Sequence, residues 1–219
     1  MTALCDRPLA LFDMDGTLLD TMPYWRGVLI ELMEKLALGR CSDALRERLR
    51  TMSSRSGLSL VQEALSGVHA LPITAQTVYD AIRAHYEERT PLPPGVHPLL
   101  CRLREAGVRL AVATATPVYL AEIALKKADI RDFFEAVFST ESVGLSKSEP
   151  DFFRRVLHTL REAPEHTVLF EDSLPPIRAA KSLGIYTVAT EDPSQVNHRE
   201  DLLQAADEYY ADGFTNRIR

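Results

Sequence analysis

Cysteine is scarce in this sequence: Cys5, Cys41 and Cys101 are the three among 219 residues. They are odd in number, far apart and in no pairing or metal-ligand spacing. That excludes a disulfide framework and a cysteine-built metal centre, and it suits reduced thiols in the cytoplasm. Long apolar runs are missing too. The longest are strand-sized, well short of a membrane span. The segment before Asp13 offers only Leu4 and the run 8–12, so neither a signal peptide nor an anchor is expected. There is no surplus of basic charge. Lys and Arg total 25 against 31 Asp and Glu, a formal net charge of −6, which argues against an extended nucleic-acid footprint. Internal repeats, low-complexity tracts and heptad runs are absent, and the histidines fall in no ligand spacing. The expectation is a cytoplasmic, monomeric protein that engages neither nucleic acid nor membrane.

What the sequence does have is length and alternation. A chain of this size can form one ordinary domain plus a smaller inserted one. Five short, β-rich apolar runs punctuate it, at 9–12, 108–114, 136–138, 167–170 and 185–189, with helical patterns between them. Continuous apolar strands alternating with helices make a parallel sheet covered on both faces, an α/β, doubly wound, Rossmann-like core. Leu99, Leu100, Leu103 and Ala106 recur at helical spacing before Gly107, which reads as a stop. Thr116 followed by Pro117 reads as an N-cap and a first helical residue.

The alternation fails once. Between Asp20 and Pro94 every pattern is helical. Trp25, Val28, Leu29, Leu32 and Leu36 share a face, Ser59 and Gln62 make a capping box, and a third helix is expected over 74–89 with Val78, Ile82 and Tyr86 four apart. Pro91, Pro93, Pro94 and Gly95 then break the chain. The expected organisation is a core of 1–20 and 94–219, with an all-helical cap domain of 21–93 inserted after the first strand. Ligands in open parallel sheets bind at the C-terminal strand edge, so the insert is expected to sit over the site as a lid.

Four polar clusters follow the strand candidates and would meet at that edge. Asp13-Met14-Asp15-Gly16-Thr17 carries two carboxylates into a glycine turn; Thr114-Ala115-Thr116 closes the second run; Lys147 follows the third; and Glu171-Asp172-Ser173 follows the fourth. Carboxylates from distant strand ends suit a hard cation such as Mg²⁺, which takes few protein ligands and keeps waters and substrate oxygens in its shell. Asp13 and Asp172 are the ligand candidates. A phosphate monoester repels nucleophiles and hydrolyses extremely slowly unaided. With the cation and Lys147 drawing charge from the phosphoryl oxygens, and Thr114 donating a hydrogen bond, an ionised Asp13 can attack phosphorus to give an aspartyl phosphate. Asp15 then fits the acid that protonates the leaving oxygen and the base that activates water.

Asp13-x-Asp15-Gly16-Thr17, the later Thr114, Lys147 and the pair Glu171-Asp172 resemble the four motifs of the haloacid dehalogenase superfamily, in the subgroup with a helical cap after the first motif, which includes phosphatases and β-phosphoglucomutase-like proteins. The resemblance covers nearly the whole chain, including Pro94-Gly95-Val96 and the run from Asp172-Ser173 to Ile177, Ala179 and Ala180. It implies Asp13 as nucleophile, Asp15 as acid and base with its backbone carbonyl on Mg²⁺, Thr114 and Lys147 as phosphate binders, and Asp172 as metal ligand. Glu171 would join the metal directly or through water, and Gly16, Thr17 and Ala115 would contact substrate. Two positions depart from the pattern. Lys147-Ser148-Glu149-Pro150-Asp151 replaces the commoner Lys-Pro-x-Pro-Asp, which implies a less rigid lysine loop, and Pro176 stands where many relatives have glycine.

Each of these residues has a plainer reading. Asp13 and Asp15 suit a turn, Asp172 and Ser173 before Pro175 suit a helix N-cap, threonine ends many strands, and a lone lysine is usually solvated. Recurrence after four strands favours chemistry. Gly144-Leu145-Ser146-Lys147-Ser148 lacks the glycine before lysine that a nucleotide-triphosphatase loop requires. Arg46, Arg48 and Arg50 read as a solvated helix face. Arg55, in the loop between expected cap helices, is the candidate for a bidentate contact with an acidic or phosphorylated leaving group. The expected function is a Mg²⁺-dependent phosphatase acting on a small phosphorylated metabolite such as a sugar phosphate. A phosphosugar mutase would use the same residues. From another class, a phosphoaspartate receiver or a catalytically silent binding protein is the alternative, and a receiver has no use for Asp15 or a cap.

Overall fold

The computed structural model describes residues 4, 6–35, 42–51, 60, 73–192 and 199–215. The chain divides into two compact units, Met1–Asp20 with Thr90–Arg219, and Thr21–Arg89. The second junction lies at Thr90 rather than Pro94. The Asp20 N–H donates to the Pro91 carbonyl at 2.8 Å, which fastens the returning segment to the outgoing one within the larger unit.

In chain order the elements are β1 (Leu9–Phe12), α1 (Met22–Lys35), α2 (Asp43–Thr51), α3 (Ala75–Glu88), α4 (Val96–Glu105), β2 (Arg109–Thr114), α5 (Val118–Lys127), β3 (Ala136–Ser139) and the short α6 (Thr140–Val143). They continue with α7 (Pro150–Leu160), β4 (Thr167–Glu171), α8 (Leu174–Lys181), β5 (Tyr186–Thr190), α9 (Arg199–Ala205) and β6 (Glu208–Phe214). The strands form one sheet in the order β3-β2-β1-β4-β5-β6, and every pairing is parallel. The five expected runs are five of these strands, and β6 is a sixth that was not expected. Strand order reverses between β1 and β4, so the crevice at their C-terminal ends is the topological switch point, where ligands bind in open α/β sheets.

Apolar sequence explains why β1 lies at the centre. Leu9, Ala10, Leu11 and Phe12 are wholly buried, as a strand covered on both faces must be. Phe12 stacks on Phe170 of β4 with centroids 4.4 Å apart and meets the edge of Phe134 at 6.0 Å. Helix α7 starts on Pro150 and buries Phe152, Phe153, Val156, Leu157 and Leu160, a stripe at helical spacing. Gly107 ends α4 in the left-handed conformation expected of a stop. The Thr116 expectation does not hold. Helix α5 begins at Val118 behind Pro117, and no side chain caps it.

In the helical unit, α1 buries Val28, Leu29 and Leu32, and α3 buries Val78, Ile82 and Tyr86. The two helices pack together, and Trp25 Nε1 donates to the Tyr86 hydroxyl at 2.9 Å. Thr74 and Thr77 cap α3 reciprocally. Leu36, Ser59, Gln62 and Arg55 lie outside the described residues. Among the described residues, no helix is long and apolar enough to cross a membrane.

Candidate active site

Parallel strands deliver their C-terminal residues to one edge, and the charged groups of the larger unit collect there. Asp13 follows β1, with its N–H on the Phe170 carbonyl at 2.9 Å. The next residues close into a tight loop in which the Leu18 and Leu19 N–H groups donate to the Met14 carbonyl and the Gly16 N–H to that of Leu19. Glu171 ends β4 and Asp172 follows it. Lys147 comes from the loop between α6 and α7; its neighbours Ser146 and Ser148 are exposed, while its own side chain turns inward and is buried. Its Nζ donates to Asp13 Oδ1 at 2.5 Å and forms an ion pair with Glu171 Oε2 at 2.6 Å. The other Glu171 oxygen accepts the Ser173 N–H at 3.0 Å.

Carboxylate oxygens of Asp13, Glu171 and Asp172 lie within 4.8 Å of one another, and all three residues are buried. Burial, then repulsion from Glu171, pushes the Asp13 carboxyl up to about 6 despite its bond to Lys147. Burial, then Glu171, Asp13 and Asp192, raises Asp172 well above the ordinary carboxylate range. Burial alone would lower Lys147, but Asp13 and Glu171 outweigh it and hold the ammonium protonated. The single ammonium offsets only part of the crowding of the acids. A buried oxygen-donor set carrying excess negative charge fits a hard divalent cation.

Residues 8–184 match the haloacid dehalogenase-like hydrolase family. The chain belongs to that family. It is 31% identical over 175 residues to the phosphorylated carbohydrates phosphatase of Thermotoga maritima, covering 80% of this chain and 81% of the relative. It is 28% identical over 199 residues to hexitol phosphatase B of Escherichia coli, covering 89% and 88%. The crystal structure of CbbY from Rhodobacter sphaeroides in complex with phosphate superposes with a TM-score of 0.75 at 27% identity, over 95% of each chain. Membership of a hydrolase family removes the signalling-receiver reading.

Within this haloacid dehalogenase-like hydrolase, Thr114 is buried at the end of β2, and its Oγ1 accepts the Thr116 N–H at 3.0 Å. Its own hydroxyl proton is a separate donor. Ala115 is exposed at the same edge, with its carbonyl accepting from Thr140 Oγ1 at 3.3 Å. Thr17 is buried with its hydroxyl 3.3 Å from that of Thr190 on β5, which clips the first loop to the sheet. The lysine loop is pinned despite its missing proline. Ser146 N–H donates to Glu149 Oε1 at 2.9 Å, and Glu149 N–H returns to the Ser146 carbonyl at 3.0 Å.

Two further contacts complete the site, one by Thr116, a member of the second cluster with no catalytic role assigned to it, and one by Asp192, which was not expected there. Thr116 Oγ1 donates to Asp15 Oδ2 at 2.6 Å, so this side chain reaches the first loop instead of capping α5. Asp192, buried just past β5, places Oδ2 2.8 Å from where a Cβ on Gly16 would stand, and Asp172 Oδ2 is equally close to that point. The pair Glu191-Asp192 just past β5 repeats the Glu171-Asp172 pair at the end of β4, and that repetition is the sequence signal that finds it.

Proposed function

We propose that the chain is a Mg²⁺-dependent phosphatase of small phosphorylated metabolites, sugar phosphates foremost, working through an aspartyl phosphate on Asp13. The observation that carries this reading is the buried Lys147 ammonium bridging Asp13 and Glu171 beside Asp172, at the strand edge from which Asp15 also projects. Asp13, Asp172 and the Asp15 carbonyl would hold the cation, with Glu171 in the set. When bound, Mg²⁺ neutralises charge on the phosphoryl oxygens and on the crowded carboxylates.

The protein's own groups account for the rest. Lys147 and the Thr114 hydroxyl hold the phosphoryl oxygens, and Lys147 also fixes the Asp13 side chain in its buried setting. Asp13 attacks phosphorus, Asp15 gives its proton to the departing oxygen, and the resulting Asp15 carboxylate takes a proton from the water that releases phosphate. Gly16, Thr17 and Ala115 contribute loop backbone around the phosphate. Arg55, outside the described residues, is the proposed contact for an acidic or phosphorylated leaving group. The relatives named for carbohydrate and hexitol phosphates support the sugar-phosphate class.

The test is phosphate release from a panel of phosphorylated sugars, polyols and short acids, with and without Mg²⁺, alongside a mutase assay on hexose 1-phosphates. Mg²⁺-dependent release from sugar or polyol phosphates is the expected result. Isomerised sugar phosphate without net release would establish a mutase instead, and release that persists undiminished in a chelator would overturn the metal assignment.

A further inference from the structure

We propose that Thr116 is a positioning residue for Asp15, fixing Oδ1 as the oxygen that gives and takes the catalytic proton. The inference rests on the reading of Asp15 as acid and base. Thr116 is 3% exposed, and its N–H is anchored on Thr114 Oγ1, so its side chain is set by the end of β2. Local structure gives its hydroxyl no other task. Pro117 follows, α5 has no side-chain cap, and the Leu120 and Ala121 N–H groups are satisfied by the Pro117 carbonyl. The hydroxyl proton goes instead to Asp15 Oδ2, at 2.6 Å.

The Thr116 hydroxyl donates to Oδ2 of the carboxylate, and by keeping that direction in the acid form it would hold Oδ2 as the acceptor oxygen of Asp15. In the acid form Oδ2 is then the carbonyl oxygen and the proton sits on Oδ1. An Asp13 oxygen forms a bond to phosphorus while the bond from phosphorus to the leaving oxygen breaks. The electron pair stays on that oxygen, which takes the proton from Asp15 Oδ1. Asp15 becomes a carboxylate, and the Thr116 bond strengthens as charge arrives, which favours the transition state over the ground state. In the second half, water attacks phosphorus and gives a proton to Oδ1, and the bond from phosphorus to Asp13 breaks with its electrons returning to Asp13.

Leaving-group dependence separates this role from a purely structural one. An alkyl phosphate needs its leaving oxygen protonated, whereas 4-nitrophenyl phosphate releases a stable phenolate. The comparison uses kcat/KM, which reports steps only through the first irreversible one and so excludes hydrolysis of the aspartyl phosphate. Thr116→Val should shift the ratio of kcat/KM for the aryl ester over the fastest hexose phosphate of the panel by about 30-fold towards the aryl ester, a part of the rate that general acid catalysis supplies. Thr116→Ser, which keeps the donor, should bring the ratio back close to that of the native protein. Equal losses on both substrates, or failure of Thr116→Ser to restore the ratio where its thermal stability is native, would overturn the proposal. Asp15→Asn serves as the control. If it too leaves the ratio unchanged, the acid role of Asp15 fails; if it shifts the ratio and Thr116→Val does not, only the positioning role fails.

Discussion

A carboxylate that attacks phosphorus must be ionised, and Asp13, the proposed nucleophile, is held where burial works against ionisation. Its raised value, near 6, comes from burial and from Glu171, and the Lys147 ammonium offsets only part of that. The same crowding constrains Gly16. Its φ of +92° lies where side chains are strained, and a Cβ there would stand 2.8 Å from oxygens of both Asp172 and Asp192. Gly16→Ala should therefore cost about 2 kcal/mol of stability in chemical denaturation. It should also weaken stabilisation by Mg²⁺, because Asp172 must move. A variant with native stability and a native response to Mg²⁺ would show that the loop tolerates the methyl group. At this scale the sequence was informative where a residue follows a strand: Asp13, Thr114, Lys147 and Asp172 could be read from that placement. Thr116 stood in the same cluster as Thr114, but its bond to Asp15 could not be read, because Thr-Pro is an ordinary helix start and Asp15 is distant in the chain. Asp192 escaped because no motif includes it, although it lies just past β5 as Asp172 lies just past β4.

Strands covered on both faces announce themselves as unbroken apolar runs, and β1 was legible residue for residue because both of its neighbours are strands. Strand β6 was not. It pairs only with β5, and only through residues 208–210, so its sequence mixes Glu208, Asp212 and Gly213 with aromatic residues as an edge strand can. What holds β6 is aromatic packing. Phe214 is buried, meeting Phe170 at 5.8 Å and Tyr210 at 6.0 Å. Phe214→Ala should lower unfolding stability by about 3 kcal/mol, read as a shifted denaturant midpoint. A shift within error of zero would make β6 an appendage. The lysine loop teaches the converse lesson. The missing proline suggested looseness, but Ser148 in its place donates its N–H to Ser146 Oγ at 3.3 Å, a bond that proline could not make.

For the whole molecule, the acidic cluster links metal, pH and stability. Asp13 titrates near 6 when folded against an ordinary 3.8, so the folded, metal-free chain keeps a proton that the unfolded chain has lost between those values. This contribution is fully present below about 3.8 and is lost as pH rises through about 6. With Asp13 as the proposed ligand, Mg²⁺ would require the ionised form and compete with that proton. At fixed Mg²⁺ the rise in Tm should therefore be larger at pH about 7.5 than at pH about 5, and an equal rise at both would mean that the cation does not use Asp13. The division into a sheet-based unit and a helical insert was legible because period changes from strand to helix after Asp20. The junction at Thr90 was not, because the Asp20 to Pro91 hydrogen bond ties residues ahead of Pro94 to the larger unit, a contact between residues distant in the chain. We propose above all that phosphate passes through Asp13. Acid-quenching the protein during turnover of a ³²P-labelled sugar phosphate, then mapping the label, tests it directly. The account predicts a hydroxylamine-labile label on the peptide containing Asp13, lost in Asp13→Asn together with turnover. Phosphate release with no protein-bound label at any quench time, or with undiminished turnover in Asp13→Asn, would contradict it.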